Sequence, residues 1–287
     1  MLGLLGAAAL MPACTTHTPA ADGTHGQITS PAARCEVPAP LTAAELRVLA
    51  GRTAGTPPTV LSPPRPAADV LPQVAAGASC DVPGRFSFVQ IQQWAADTRI
   101  DGRRATSTIV VFQRRHWRAD NGSGRAVSMR YPPGLQPTTD QTYPPGELDG
   151  SIGPVAADPA SLTTQITTVT PPFLGAPAVL DALAGLTTWR TPDRDARNAI
   201  LTLLRHTNGL NYHPAVRDRA GRTGVGISAT GQHGDVRSLL ILHTATGEVL
   251  AYERAHLKPP QGNQTRTGRV EDYLLFSVHT RTSTTTP

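Results

Sequence analysis

Aromatic and β-branched residues alternate with polar residues in three consecutive segments after residue 85, and this period of two predicts β-strands. The segments cover residues 86–94, 105–118 and 127–131. Residues 121–124, Asn-Gly-Ser-Gly, lie between the second and third segments and are typical of a tight turn. We therefore expect an antiparallel meander of three long strands.

Five more segments in the C-terminal third show a strand pattern. They cover residues 212–217, 223–229, 237–243, 248–254 and 273–279. Turn-forming residues at 218–222 and 244–247 separate them, which predicts tight connections between antiparallel strands.

Between the two groups of strands, apolar residues recur at helical spacing. Residues 160–166 and 177–189 predict two helices, and a third begins after Thr191, which we expect to be its N-cap, with Pro192 at the first position. Residues 132–154 predict a long loop. The order of strands, helices and strands predicts an α+β fold with a curved antiparallel sheet packed on a few helices.

The first 85 residues contain no Phe, Trp or Tyr and are rich in proline, so they offer little apolar surface for a core. We expect residues 15–80 to form a disordered, Pro-rich tether, residues 81–281 the α+β domain, and residues 282–287 a disordered tail. Within the tether, Thr42 and Glu45 form a capping-box pattern that predicts one short helix.

Residues 1–14 form an apolar segment that ends in Cys14. The apolar run is too short to span a bilayer but has the length of a secretory signal. Residues 12–16, Pro-Ala-Cys-Thr-Thr, resemble a bacterial lipobox, which implies that Cys14 is lipidated. Plain secretion, or no export at all, are the alternatives.

Two further cysteines, Cys35 and Cys80, complete the set of three. An even number outside the cytoplasm predicts a disulfide between them, and such a bridge would stabilise the fold by roughly 4 kcal/mol. Two free thiols are the alternative.

Composition and motifs exclude several classes of protein. The net charge is +5, with 39% hydrophobic and 16% charged residues, which excludes a coiled coil, a collagen and a polytopic membrane protein. The histidines lack metal-ligand spacing, and the chain has neither a nucleophile elbow nor a phosphate-binding Gly-Lys-Ser/Thr loop. The basic residues are spread along the chain, which disfavours nucleic acid. We expect a non-enzymatic protein without metal or cofactor.

The turn at residues 218–222 and the strand after it contain the remaining notable residues. Asp218 is interpreted as a turn former beside solvated arginines, with an ion pair to Arg222 as the alternative. Gly224 and Gly226 are interpreted as sites of sheet curvature or a bulge.

Three segments of the chain resemble a known family. They are residues 158–162 (Asp-Pro-Ala-Ser-Leu), 218–227 (Asp-Arg-Ala-Gly-Arg-Thr-Gly-Val-Gly-Ile) and 239–250 (Leu-Leu-Ile-Leu-His-Thr-Ala-Thr-Gly-Glu-Val-Leu). They look like an actinobacterial family of membrane-anchored proteins that are often encoded beside sigma factors and have no assigned reaction. The order of elements also resembles LolA-like and LppX-like lipoproteins, which implies a half-barrel sheet over helices that encloses a lipid-sized cavity.

These observations predict an extracytoplasmic lipoprotein that binds a lipid or another apolar ligand in a concave sheet. The membrane, through the lipid anchor, and an apolar ligand or envelope protein are the expected partners. The candidate lining residues, which could equally fill an ordinary core, are Phe86, Phe88, Val111, Trp117, Leu239, Ile241 and Leu250. The alternative function is a protein-interaction or sensory module that regulates an envelope sigma-factor pathway.

Overall fold

Nine strands form one antiparallel sheet in the computed structural model, which describes residues 41–51, 57–77, 81–102, 104–131, 138–148, 153–171, 175–232, 234–258 and 269–286. The strands are β1 Phe86–Asp101, β2 Arg104–Ala119, β3 Gly124–Tyr131, β4 Thr139–Tyr143, β5 Asn211–Arg217, β6 Thr223–Thr230, β7 Val236–Leu242, β8 Val249–His256 and β9 Arg269–Thr282. Their spatial order is β4-β3-β2-β1-β9-β8-β7-β6-β5.

The last strand of the chain, β9, lies in the middle of the sheet. Phe276 of β9 pairs with Ile91 of β1 on one side, and Leu275 pairs with Ala251 of β8 on the other. Thus β9 joins the meander β1–β4 to the second meander β5–β8. The sheet stays open, and register shifts along β5–β6, β7–β8, β8–β9 and β1–β9 curve it.

Five helices occur within the same residue ranges. They are α1 Ala43–Gly51, α2 Ala67–Gly77, α3 Pro159–Val169, α4 Gly175–Thr187 and α5 Arg194–His206. The strands and the three middle helices confirm the predicted α+β class, with an antiparallel sheet and a few helices.

Side-chain caps begin two of the helices. The carboxylate of Asp158 accepts a hydrogen bond from the Ser161 N–H at the start of α3, and Asp193 accepts one from the Ala196 N–H at the start of α5, each at 2.8 Å. The predicted cap of α5, Thr191, was wrong. Its hydroxyl donates instead to Thr280 O of β9 at 2.9 Å, because the chain at this point is still extended beside the sheet.

The main apolar core lies on one face of the sheet, which we call the helix face. Helix α4 packs against β6, β7 and β8, and α3 packs against α4 and α5. Alternate residues of each strand point to this side, including Val225 and Ile227 of β6 and Leu240 and Leu242 of β7. All four side chains are fully buried.

The predicted disorder of residues 15–80 is wrong for the part that the structure describes. Helix α1 confirms the short predicted helix, and its capping box is formed by Thr42 and Glu45, whose side chains bond each other's backbone N–H. Helix α2 was not predicted. Its Val70, Leu71 and Val74 are fully buried against α5 and β5, since they lie on one side of the helix. The rest of the predicted tether lies outside the described residues.

Two smaller predictions also need correction. The predicted loop at 132–154 contains strand β4, which pairs with β3 through residues such as Thr142 and Arg125. The predicted disordered tail begins inside β9, and Thr285 O accepts a hydrogen bond from the Arg125 guanidinium at 3.1 Å.

The two glycines of β6 allow its neighbours to approach closely. A Cβ added at Gly226 would lie 2.6 Å from Cγ2 of Val216 in β5, and one at Gly224 would meet the backbone of Leu242 in β7. The register shift between β5 and β6 lies beside Val216. These glycines therefore serve the curved part of the sheet, as their interpretation expected.

Candidate functional site

The second face of the sheet, which we call the strap face, carries every side chain that the sequence analysis proposed as ligand lining. One buried apolar cluster contains Val111, Leu239, Ile241 and Leu250. A neighbouring cluster contains Phe86, Phe88 and Trp117. Phe88 and Trp94 share a face because they are an even number of positions apart on β1, and Trp94 belongs to the first cluster. The seven residues lie on one surface, and their role as lining stays a prediction.

Residues 57–66, which we call the strap, cross this face in an extended conformation. The Thr59 N–H donates to both carboxylate oxygens of Glu253 in β8 at 3.1 and 3.0 Å, and its hydroxyl donates to Oε2 at 2.7 Å. Arg237 of β7 donates from one Nη atom to Thr59 O and to Glu253 Oε1. Leu61 packs against the apolar cluster beneath. Polar side chains of the sheet thus fix the strap.

Two further bonds attach the strap to the edge strand β5. Nδ1 of His213 is 2.6 Å from Ser62 O, so Nδ1 carries the proton, while Nε2 accepts from the Ser228 hydroxyl at 2.9 Å. Burial lowers the pKa of His213, which favours this neutral form. The Arg65 N–H donates to Tyr212 O at 2.7 Å, after which the chain enters α2 on the helix face.

Helix α1 covers another part of the strap face. Its Leu49 belongs to the same apolar cluster as Trp94, and Leu46 is buried. The side-chain amide of Gln92 on β1 donates to Leu46 O at 2.8 Å. This buried amide contact joins α1 to β1.

The β5–β6 turn places one cation against the aromatic residues of the strap face. The Arg219 guanidinium carbon lies 4.1 Å from the ring centroid of Tyr273 and 4.8 Å from that of Trp94, within the range of a cation–π contact. The Arg219 N–H also donates to the Tyr273 hydroxyl at 3.0 Å. Burial lowers the pKa of Arg219, and Glu253 opposes this effect from a distance.

The neighbouring Asp218 and Arg222 form a buried ion pair, with Nε and Oδ2 2.7 Å apart. Asp218 therefore holds the turn as expected, but the interpretation of Arg222 as a solvated side chain is wrong. Its Nη2 donates to Leu250 O and Phe276 O, which places the guanidinium beside the start of β8 and the middle of β9. Burial raises the pKa of Asp218, while Arg222 lowers it.

An open cavity of about 480 Å³ lies between the strap and this turn. Pro57, Val60 and Leu61 form its apolar wall, and Arg217 and Arg219 line the opposite side. Val60 is 88% exposed and forms the rim. The cavity is therefore continuous with the strap and has both apolar and cationic walls.

A second cavity, of about 130 Å³, lies between the start of α5, the residues before β8 and the end of β9, and most of its lining residues are of polar or charged types. Burial raises the pKa of Glu248 and lowers that of His279 to about 4. The ionisable groups bond to the protein: Arg197 donates to Pro192 O at 2.7 Å, and His279 Nε2 is 3.0 Å from Thr187 O. The first contact closes the start of α5 and the second joins the end of α4 to β9, which assigns the cluster a structural role.

Other predicted site features have different outcomes. Cys14, Cys35 and Cys80 lie outside the described residues, so the lipidation and the disulfide stay predictions. In the part of the chain that the structure describes, no group of three His, Cys, Asp or Glu residues could hold a metal. None of the helices in that part has the length and apolarity of a membrane span.

Sequence reasoning missed Thr59, Glu253, Arg237, His213 and Arg219. Each makes its contact with a residue that is distant in the sequence, so no local pattern identifies it. The buried charge of Glu253 within an apolar strand, together with Arg237 on the preceding strand, was the one available signal.

No protein-family model matches the chain, and no curated protein matches it. The crystal structure of an outer membrane lipoprotein-sorting protein domain from Vibrio parahaemolyticus is similar at a TM-score of 0.23 and 8% sequence identity, over 74% of this chain and 92% of that one. A TM-score this low supports no argument, so the fold class rests on the strand order and the helices themselves.

Proposed function

We propose that this chain is a non-enzymatic, extracytoplasmic protein that binds a lipid or another apolar ligand on the strap face. The apolar pattern of residues 1–14 supports the export and the anchoring at Cys14. The ligand would lie along the apolar cluster around Leu239 and Ile241, in the place that the strap occupies in this structure.

One observation carries this proposal: a broad apolar sheet face lies beneath a narrow strap and the short helix α1, whereas the opposite face lies beneath the packed helices α3, α4 and α5. The strap places Leu61 on the cluster, while Val60 points to solvent, and hydrogen bonds to Glu253, His213 and the backbone of Tyr212 hold it in place. Replacing such a cover with an acyl chain gains apolar burial at about 0.8 kcal/mol per CH₂.

Binding of 1-N-phenylnaphthylamine, a neutral dye that fluoresces in apolar surroundings, tests the proposal. We expect saturable binding to the purified chain, and tighter binding to Leu61→Ala, because a shorter side chain weakens the cover that the ligand must displace. Val48→Ala, at an exposed position of α1, is the control and should bind like the wild type. Native mass spectrometry of protein expressed in a bacterial envelope should show a lipid adduct.

The absence of both the dye signal and the lipid adduct would overturn the proposal. If the wild type and Leu61→Ala bind the dye with equal affinity, the ligand binds elsewhere than under the strap. The sigma-factor alternative stays a prediction, because no contact among the described residues bears on it.

A further inference from the structure

Arg219 is a preorganised cation at the end of the strap face. Two aromatic rings, Tyr273 and Trp94, lie beneath its guanidinium, and its own backbone N–H is bonded to the Tyr273 hydroxyl. A guanidinium held in this way has lost much of its conformational freedom before any partner arrives. Binding of an anion here would therefore require little further ordering of the Arg219 side chain.

The acidic groups near Arg219 are occupied by other partners. Asp218 has a fully buried side chain, and its carboxylate accepts from the Arg222 Nε and backbone N–H at 2.7 and 2.9 Å. Glu253 accepts from Thr59 and Arg237. Within the described part of the chain, Arg219 forms no ion pair within 4.0 Å.

The cavity beside Arg219 is cationic on one side and apolar on the other. Arg217, which is exposed, lines it together with Arg219, and among the described residues of its wall the one acid is the inward-turned Asp218. Its volume of about 480 Å³ lies in the usual range for a small-molecule site. Leu61 lines the cavity and also packs on the apolar cluster, so its side chain lies between the two.

We propose that this cavity binds the anionic head group, a carboxylate or a phosphate, of an amphipathic ligand whose acyl chain lies along the strap face. The inference rests on the proposed function and narrows its ligand class from apolar molecules to acyl anions. Arg219 is the principal contact, since a planar guanidinium bonds carboxylate and phosphate oxygens in pairs. Arg217 adds a second, more exposed charge.

Three ligands of equal chain length test the head group: decanoate, decyl phosphate and 1-decanol, each titrated calorimetrically at pH 7.5. We expect both anions to bind at least tenfold more tightly than the alcohol, because a hydrogen bond between charged groups changes the affinity by about this factor. Arg219→Gln should remove this preference while leaving the affinity for decanol unchanged. Arg205→Gln, at an exposed position in the last turn of α5, removes the same charge and should retain the preference.

Different outcomes separate this inference from the proposed function. Equal binding of decanoate and decanol by the wild type would overturn the anionic head group and leave apolar binding intact. A lack of binding by all three ligands would overturn the proposed function itself. Inorganic phosphate that binds as tightly as decyl phosphate would show a site for free anions and overturn the acyl part. The comparison of ligands on the wild type needs no variant, so it holds even if Arg219→Gln fails to fold.

Discussion

Thr59 and Glu253 are joined by three hydrogen bonds, two from the Thr59 N–H and one from its hydroxyl. Both residues also contact Arg237, so backbone, carboxylate and guanidinium form one closed group on the strap face. This group fixes the strap to β7 and β8 at a single point.

Removing the hydroxyl should loosen the strap without unfolding the domain. In Thr59→Val the bond to a charged carboxylate is lost, which should lower the free energy of local opening by about 1.5–3 kcal/mol. Hydrogen exchange of the Arg65 amide, which donates to Tyr212 O, reports this opening. We expect its exchange to accelerate at least tenfold.

Thr163→Val is the matched control for this measurement. Its hydroxyl donates to Pro159 O on the exposed surface of α3, far from the strap. The control should leave the Arg65 amide unaffected. Unchanged exchange in Thr59→Val would show that the strap does not depend on the hydroxyl bond to Glu253.

Glycine substitutions should have opposite effects at two positions. Gly226→Ala places a Cβ 2.6 Å from Val216 Cγ2, so we expect destabilisation by about 1–3 kcal/mol. Gly185→Ala lies in α4 with no atom within 4 Å of the new Cβ and should stabilise by about 1 kcal/mol. Urea unfolding of both variants measures the difference.

The double variant Gly226→Ala/Val216→Ala checks the cause. Removing the valine methyl groups relieves the close contact, so the two changes together should cost less than the sum of the single changes. Additive effects would mean that the Gly226 Cβ is accommodated by movement of the backbone instead.

Two buried histidines should make stability depend on pH. Burial lowers the pKa of both His116 and His279 to about 4, whereas an unfolded histidine titrates near 6.5. Between these values the unfolded chain binds more protons than the folded chain. Their contribution to the free energy of unfolding is therefore complete above pH 6.5 and declines as the pH falls toward 4.

The raised pKa values of Asp218, Glu248 and Asp272 act in the opposite direction, so the test compares variants rather than whole curves. In His279→Gln the decline between pH 6.5 and 4 should be shallower than in the wild type. The two curves should run parallel above pH 7. Parallel curves throughout would contradict the burial of a neutral His279.

Helix α2 should prove to be part of the folded domain. Leu71 is fully buried against the helix-face core, so Leu71→Ala should destabilise by about 2–5 kcal/mol. Gln73→Ala, on the exposed side of the same helix, should change stability little. Thermal unfolding of the two variants distinguishes an integral helix from a loosely attached one.

The elements with a regular apolar period were predictable, and those with an irregular one were not. Val127, Met129 and Tyr131 alternate clearly and identify β3. In α2 the apolar Val70, Leu71 and Val74 surround Pro72, and the prolines before them suggested a segment without structure. Burial of these side chains against α5 and β5 outweighs that local pattern, and this burial arises only in the tertiary fold.

The candidate site was likewise predictable in one part and not in another. Alternation on β1 was enough to place Phe86 and Phe88 on one face, whereas residues 239–242 of β7 are all apolar, so their pattern does not show which of them share that face. The position of Arg219 depends on Trp94 and Tyr273, which come from strands far apart in the sequence. The residues next to Arg219 in the sequence therefore do not indicate its contacts with these rings.

The central position of β9 has a consequence for synthesis. Until residues 269–282 leave the ribosome, β1 and β8 each expose an open edge that is ready to pair with another chain. At about 5–20 residues per second, this vulnerable interval lasts for roughly 10–35 seconds after β1 has emerged. Nascent chains truncated before β9 should therefore aggregate or require a holding chaperone, and completion of the final strand should end that requirement.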